Sequence, residues 1–202
     1  MATRTIATKL AVEGEAEYKK SLKNINSEIG TLKSELKLVE SEFAGQANSY
    51  EALSKKGEVL EKMYAQQSQK LEAHTKALEA AKEAQKTYAD RIDAAKREIE
   101  EYEAALAALA EESGDTSEKQ AELTKNIEDT KAALEKNQQH YEQATRLANS
   151  YQSQINGAQA ELNKLDTELN QNGQRLEEYR DSLDNARRES CHELESRLNE
   201  QG

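Results

Sequence analysis

The chain has no proline and no tryptophan, and only one phenylalanine and one cysteine, in 202 residues. Average usage of roughly 5% would put about ten prolines in this length. Their absence admits long uninterrupted helices, because an interior Pro removes a backbone donor and costs about 3 kcal/mol. Aromatic residues make up 4%, too little bulk for a wide globular core but enough for a narrow seam between helices. The lone Cys191 has no second cysteine to pair with, so nothing indicates an oxidising compartment. No apolar run approaches the ~20 residues of a membrane span. The opening MATRTIATKLAVEGE lacks an apolar core of signal-peptide length.

Charge is abundant and unbalanced, with 28 Lys and Arg against 39 Asp and Glu, a formal net charge of −11. That excess argues against Lys/Arg-driven nucleic-acid binding and against anionic membrane surfaces. It fits a soluble chain made in a cytoplasm, with no direct nucleic-acid partner and no membrane segment.

What is present is a stripe. In YKKSLKNINSEIGTLKSELKLVESEF the large apolar side chains are Tyr18, Leu22, Ile25, Ile29, Leu32, Leu36, Val39 and Phe43. The steps between them alternate four and three, an unbroken heptad seam. The same count reaches Tyr50, Leu53, Leu60 and Tyr64, then Tyr88, Ile92, Ile99, Tyr102, Leu106 and Leu109. It continues through Ile127, Leu134, Leu162, Leu165, Leu169, Leu176 and Tyr179 without a stutter. A register held this long implies a left-handed supercoil. All eight tyrosines fall on the seam, where chance would place about two, since a seam holds two of every seven positions. Gln46, Gly57, Gln67, His74 and Gln85 also lie on it, so 46–85 is expected to be helical but softer, its polar positions fixing register or copy number. A homo-oligomer is expected from so long a stripe.

Two segments depart from the helical pattern. Ile6, Thr8, Leu10 and Val12 alternate with Ala7, Lys9 and Ala11, which predicts a short strand within 1–14. EESGDTSEKQ interrupts the later part of the chain: Gly114 ends a helix well, and Asp115 with Glu118 three residues on resembles a capping box. The expected fold is all-α, a first coiled-coil arm over 15–111, a break or turn at 112–117, and a second arm over 118–202. Two architectures satisfy that pattern. The chain is either a kinked rod of order 250 Å or an antiparallel hairpin whose arms bury each other's stripes. Weaker breaks are expected at Gly45, Gly157 and Gly173.

Residues that carry chemistry are sparse. His74, His140 and His192 stand apart from one another, and none has metal-ligand spacing to a second His or Cys. Cys191, His192 and Glu193 are adjacent, but neighbours on a helix point different ways. Neither GxxxxGK[ST] nor GxGxxG occurs. The many Glu and Lys pairs at i, i+4 describe a solvated face. No enzymatic activity, catalytic residue, metal or cofactor is expected.

From Ile6 to Glu72, through IATKLAVEGEAEYKKSLKNINSEI and LKSELKLVESEFAGQANSYEALSKKGEVLEKMYAQQSQKLE, the chain resembles the N-terminal region of phage tail tape measure proteins, as found in siphophages and prophages of Gram-positive bacteria. A looser likeness runs to about Asn172. The resemblance implies a structural virion protein in which helical length sets tail length. Its partners would be tail-tube subunits and tail chaperones, in the host cytoplasm during assembly and then in the lumen of the virion tail. Family members usually run several times longer, and RRESCHELESRLNEQG leaves the register, with Cys191, Leu194 and Leu198 on another stripe. A fragment, a truncated prophage gene and a small complete relative all fit. Alone, the chain spans at most about 300 Å as a helix. A generic coiled-coil scaffold or spacer, and a helical client-binding or chaperone module, are the alternatives.

Overall fold

The structure, a computed structural model, describes residues 15–111 and 116–199. The strand expected within 1–14, and the break residues Gly114 and Asp115, lie outside the described residues. The rest is all-α, in helices α1 (Glu15–Glu42), α2 (Tyr50–Glu111) and α3 (Ser117–Asn199). Among the described residues there is no strand.

Local chemistry sets the helix ends. Glu15 and Glu17 occupy the first turn of α1, where the helix dipole favours negative charge. A turn spans 43–49, with Gly45 inside it, so the expected single arm over 15–111 is two helices. Residues 46–49, expected to be helical, belong to that turn. Ser49 caps α2: its hydroxyl accepts from the Ala52 amide at 3.3 Å, satisfying one of the otherwise unpaired first-turn donors. Thr116 precedes α3; its carbonyl accepts from the Gln120 amide at 3.0 Å, and its hydroxyl from the Gln120 side chain at 3.0 Å. Gly157 and Gly173 lie inside α3 and break nothing.

The chain divides into two compact units, Met1–Tyr18 with His74–Gln154 and Lys19–Ala73 with Ile155–Gly202. In the second unit α1 turns back along α2. Glu40 and Lys56 pair at 3.2 Å on either side of the short turn, and the Lys55 ammonium sits 5.0 Å above the Phe43 ring. Val39 forms a core with Val59, Leu60, Met63 and Leu165, against which Leu32, Leu36, Phe43 and Leu169 pack. Here α2 and α3 run antiparallel, since Leu53 meets Asn172 whereas Gln67 meets Ala158. In the first unit the direction is the same: Gln85 meets Thr145 and Glu103 meets Lys131. Within each unit, α2 and α3 of one chain pair antiparallel, the direction the hairpin architecture calls for.

Candidate functional site: a seam with polar layers

The seam is where the side chains of this protein converge. In α1, every residue after Ala16 that is not exposed lies on it: Tyr18, Leu22, Ile25, Ile29, Leu32, Leu36 and Val39. Phe43 follows, half-buried, in the turn. From residue 91 to the end of α2 the covered residues are Ile92, Ala95, Ile99, Tyr102, Leu106 and Leu109. Tyr88 is half-buried and stacks on His140, with ring centroids 5.0 Å apart. In α3 from Tyr151 onward, all covered residues but Gln154 are seam positions.

Between 52 and 73, α2 is covered more broadly. Ala52, Val59 and Met63 are buried although none lies on the seam. They form the side of α2 that receives α1, while Leu53 and Leu60 on the seam are the largest fully buried side chains. Val59 and Met63 are the only large apolar residues of α2 off the seam, a sequence signal for a second packing face.

Three polar seam positions are buried. Gln67, His74 and Asn172 are between 3% and 6% exposed, a burial that requires hydrogen-bond partners. In the second unit the Asn172 amide donates to the Leu53 carbonyl at 2.8 Å, and Gln67 donates to the Ala158 carbonyl at 3.3 Å. Gly57 makes the first contact possible, since a Cβ there would stand 3.0 Å from Asn172 Nδ2. In the first unit Gln85 donates to the Thr145 hydroxyl at 2.8 Å, which donates in turn to the Tyr141 carbonyl at 2.9 Å.

Tyr18 anchors the start of α1 in the first unit. Its hydroxyl donates to Gln154 Oε1 at 2.8 Å and lies 2.8 Å from His74 Nδ1. Because the single phenolic proton goes to Gln154, His74 donates from Nδ1. The Tyr18 ring meets those of Tyr151 and His74 edge-on at 5.2 and 5.9 Å. Burial, and then the neighbouring Tyr151, push the Tyr18 phenol up to about 12. Among the described residues, the buried atoms Gln66 Oε1 and His140 Nδ1 have no hydrogen-bond partner.

Outside the seam the surface is polar and its chemistry is plain. A groove of about 270 Å3 in the second unit is floored by Ile29, Met63 and Leu165 and rimmed by Lys33, Lys70 and Glu161. A hydrogen bond from Lys164, and then the charges of Lys164, Lys33 and Lys70, hold the exposed Glu161 carboxyl below its ordinary value. That direction is opposite to the one a general acid at neutral pH needs. Among the described residues no three His, Cys, Asp or Glu gather to hold a metal ion, and no helix is long and apolar enough to cross a membrane. Cys191 is exposed. Compared with protein-family models, curated proteins and solved structures, the chain matches none.

Proposed function

We propose that the protein is a structural helical element whose working feature is the seam, and that it acts as the N-terminal part of a tail tape measure. One observation carries the structural role: along α1 after Ala16, in α2 beyond residue 90 and in α3 beyond Gln154, the covered side chains follow the heptad stripe and the residues between are solvated. A protein organised this way supplies length and packing rather than a reacting group. The assignment to phage tails rests on the resemblance over Ile6–Glu72, including the α1 stripe. Under this proposal the protein is not an enzyme, its partners are tail-tube subunits and tail chaperones, and the packing is of the coiled-coil kind. Its location is the host cytoplasm and then the tail lumen. A ruler must be laid out end to end, so the antiparallel pairing of α2 with α3 is the state before assembly, opened as tube subunits polymerise.

Heptad deletions within 92–109, made in the phage or prophage gene, test the ruler. Each should shorten the assembled tail by about 10 Å, seven residues at 1.5 Å, as measured by electron microscopy. Tails of unchanged length overturn it.

The antiparallel pairing favours a second assignment, a self-contained scaffold or spacer arm, because α2 and α3 bury their stripes against each other. Unchanged tails with a stable isolated protein would favour that role over the ruler. Specific capture of a helical client would favour the chaperone-like alternative.

A further inference from the structure

An apolar heptad stripe is permissive: by itself it accepts a parallel or antiparallel neighbour, from the same chain or from another copy. The seam of α2 and α3 carries groups that are not permissive. Asn172 reaches the Leu53 carbonyl across the backbone at Gly57, where a Cβ would stand 3.0 Å from its amide nitrogen. Gln67 donates to the Ala158 carbonyl, and Gln85 to the Thr145 hydroxyl. These partners sit 119, 91 and 60 residues apart in the chain. Sliding one helix by a single heptad would take Gln85 away from the Thr145 hydroxyl and bring Asn172 against a side chain instead of a glycine.

We infer that Gly57, Gln67, Gln85 and Asn172 form a register code that selects α3 of the same chain as the antiparallel partner of α2, and selects against parallel pairing with a second copy. In a parallel pair of copies each seam position meets its own equivalent. Gly57 would then face Gly57 and leave a void, and the amides that now reach backbone carbonyls would be diverted to one another. Gln85 would also lose the Thr145 hydroxyl, so the parallel alternative is disfavoured at that point and at the void beside Gly57. On this inference the partner of this seam lies within the chain rather than in a second copy. The inference concerns pairing alone and stands whether or not the protein measures tails.

Sedimentation of the full chain, compared with the variant Gln67→Leu/Gln85→Leu/Asn172→Leu, tests it. Wild type should sediment as one monomeric species at all concentrations. The variant should unfold at a higher temperature, because a polar seam residue buys specificity at a cost in stability, yet form larger species that grow with concentration. Spin labels at positions 103 and 131, in a Cys191→Ser background, report the pairing directly. Their strong coupling should persist when labelled chain is unfolded and refolded with excess unlabelled chain. Coupling lost on that dilution would reveal exchange of helices between copies and overturn the inference. So would an oligomeric wild type, or a variant that stays monomeric with the pairing unchanged. If the triple variant precipitates, Asn172→Leu alone should give the same change to a smaller extent, and a monomeric Asn172→Leu with unchanged pairing overturns the inference equally.

Discussion

Asn172 donates from its amide nitrogen to the Leu53 carbonyl, 2.8 Å away, by lying across the backbone of α2 at Gly57. Glycine inside a helix usually costs about 1 kcal/mol relative to alanine, so its presence at a packed seam position has a local cause. Gly57→Ala would gain helix propensity but force the buried Asn172 amide to give by a few tenths of an ångström, weakening its 2.8 Å hydrogen bond to the Leu53 carbonyl. We expect Gly57→Ala to lower Tm. By contrast Gly30, Gly157 and Gly173 have nothing within 4 Å of the added Cβ. Alanine at each should raise Tm by about 2–4 °C in a chain of this size. Thermal unfolding followed by circular dichroism measures all four, and a rise for Gly57→Ala would show that the close fit with Asn172 is not constraining.

The core of the second unit makes a sharper contrast. Leu60 is 0% exposed and packs with Val39, Val59, Met63 and Leu165. Leu60→Ala should cost about 2–5 kcal/mol through lost transfer energy and the cavity left behind. Leu194 is 56% exposed, and Leu194→Ala should stay within about 0.5 kcal/mol of wild type. Urea titration distinguishes the two, and equal effects would contradict the packing.

Tyr18 predicts an alkaline response. Its folded pKa is pushed up to about 12, above its ordinary 10.0, so the folded state holds its proton where the unfolded state releases it. The stabilisation is complete below pH about 10 and fades as pH rises through about 12. Tyr18→Phe should flatten that part of the stability profile. It should also destabilise the protein at neutral pH by about 1 kcal/mol, because it removes both part-buried hydrogen bonds of the hydroxyl. The phenolate absorbance of wild type and variant, titrated in the folded protein, isolates the group. A Tyr18 that ionises near 10 would contradict its burial.

Deletions should obey helical phase rather than size. Removing seven residues between Ile92 and Tyr102 returns the stripe to within about 20° of its direction, whereas removing two rotates it by about 200°. The smaller deletion should therefore be the more destabilising, since it turns Tyr102, Leu106 and Leu109 away from α3. Comparative thermal unfolding would show the reverse order only if these residues contribute no packing.

Much of this was legible in the sequence, for reasons that differ along the chain. The α1 stripe from Tyr18 to Val39 could be read residue by residue, because one helix face has one packing environment there and periodicity maps directly onto burial. Between 52 and 73 the rule weakens, because α2 serves α1 and α3 together and a single stripe describes only one of them. Val59 and Met63 carried the missing information as the large apolar residues out of phase. The polar positions were visible, but their meaning was not. Whether Gln67 or Asn172 loosens a seam or fixes it depends on what lies opposite, and the Leu53 carbonyl is 119 residues from Asn172. The direction of pairing was open for the same reason, since a preserved heptad register is equally compatible with a rod and a reversal.

Beyond Arg180, α3 continues to Asn199, and every residue from 181 to 196 is exposed, Leu183 and Leu194 included. An isolated helix of that length would be marginal in water, because its first turn fixes several residues for a single hydrogen bond. Here that nucleation step is already complete in the packed turns ending at Tyr179, and each further residue only propagates it. The segment is thus helical by continuation. Its amide protection should decline as a gradient from Tyr179 toward Asn199, with fraying that starts at the far end and stops where packing begins.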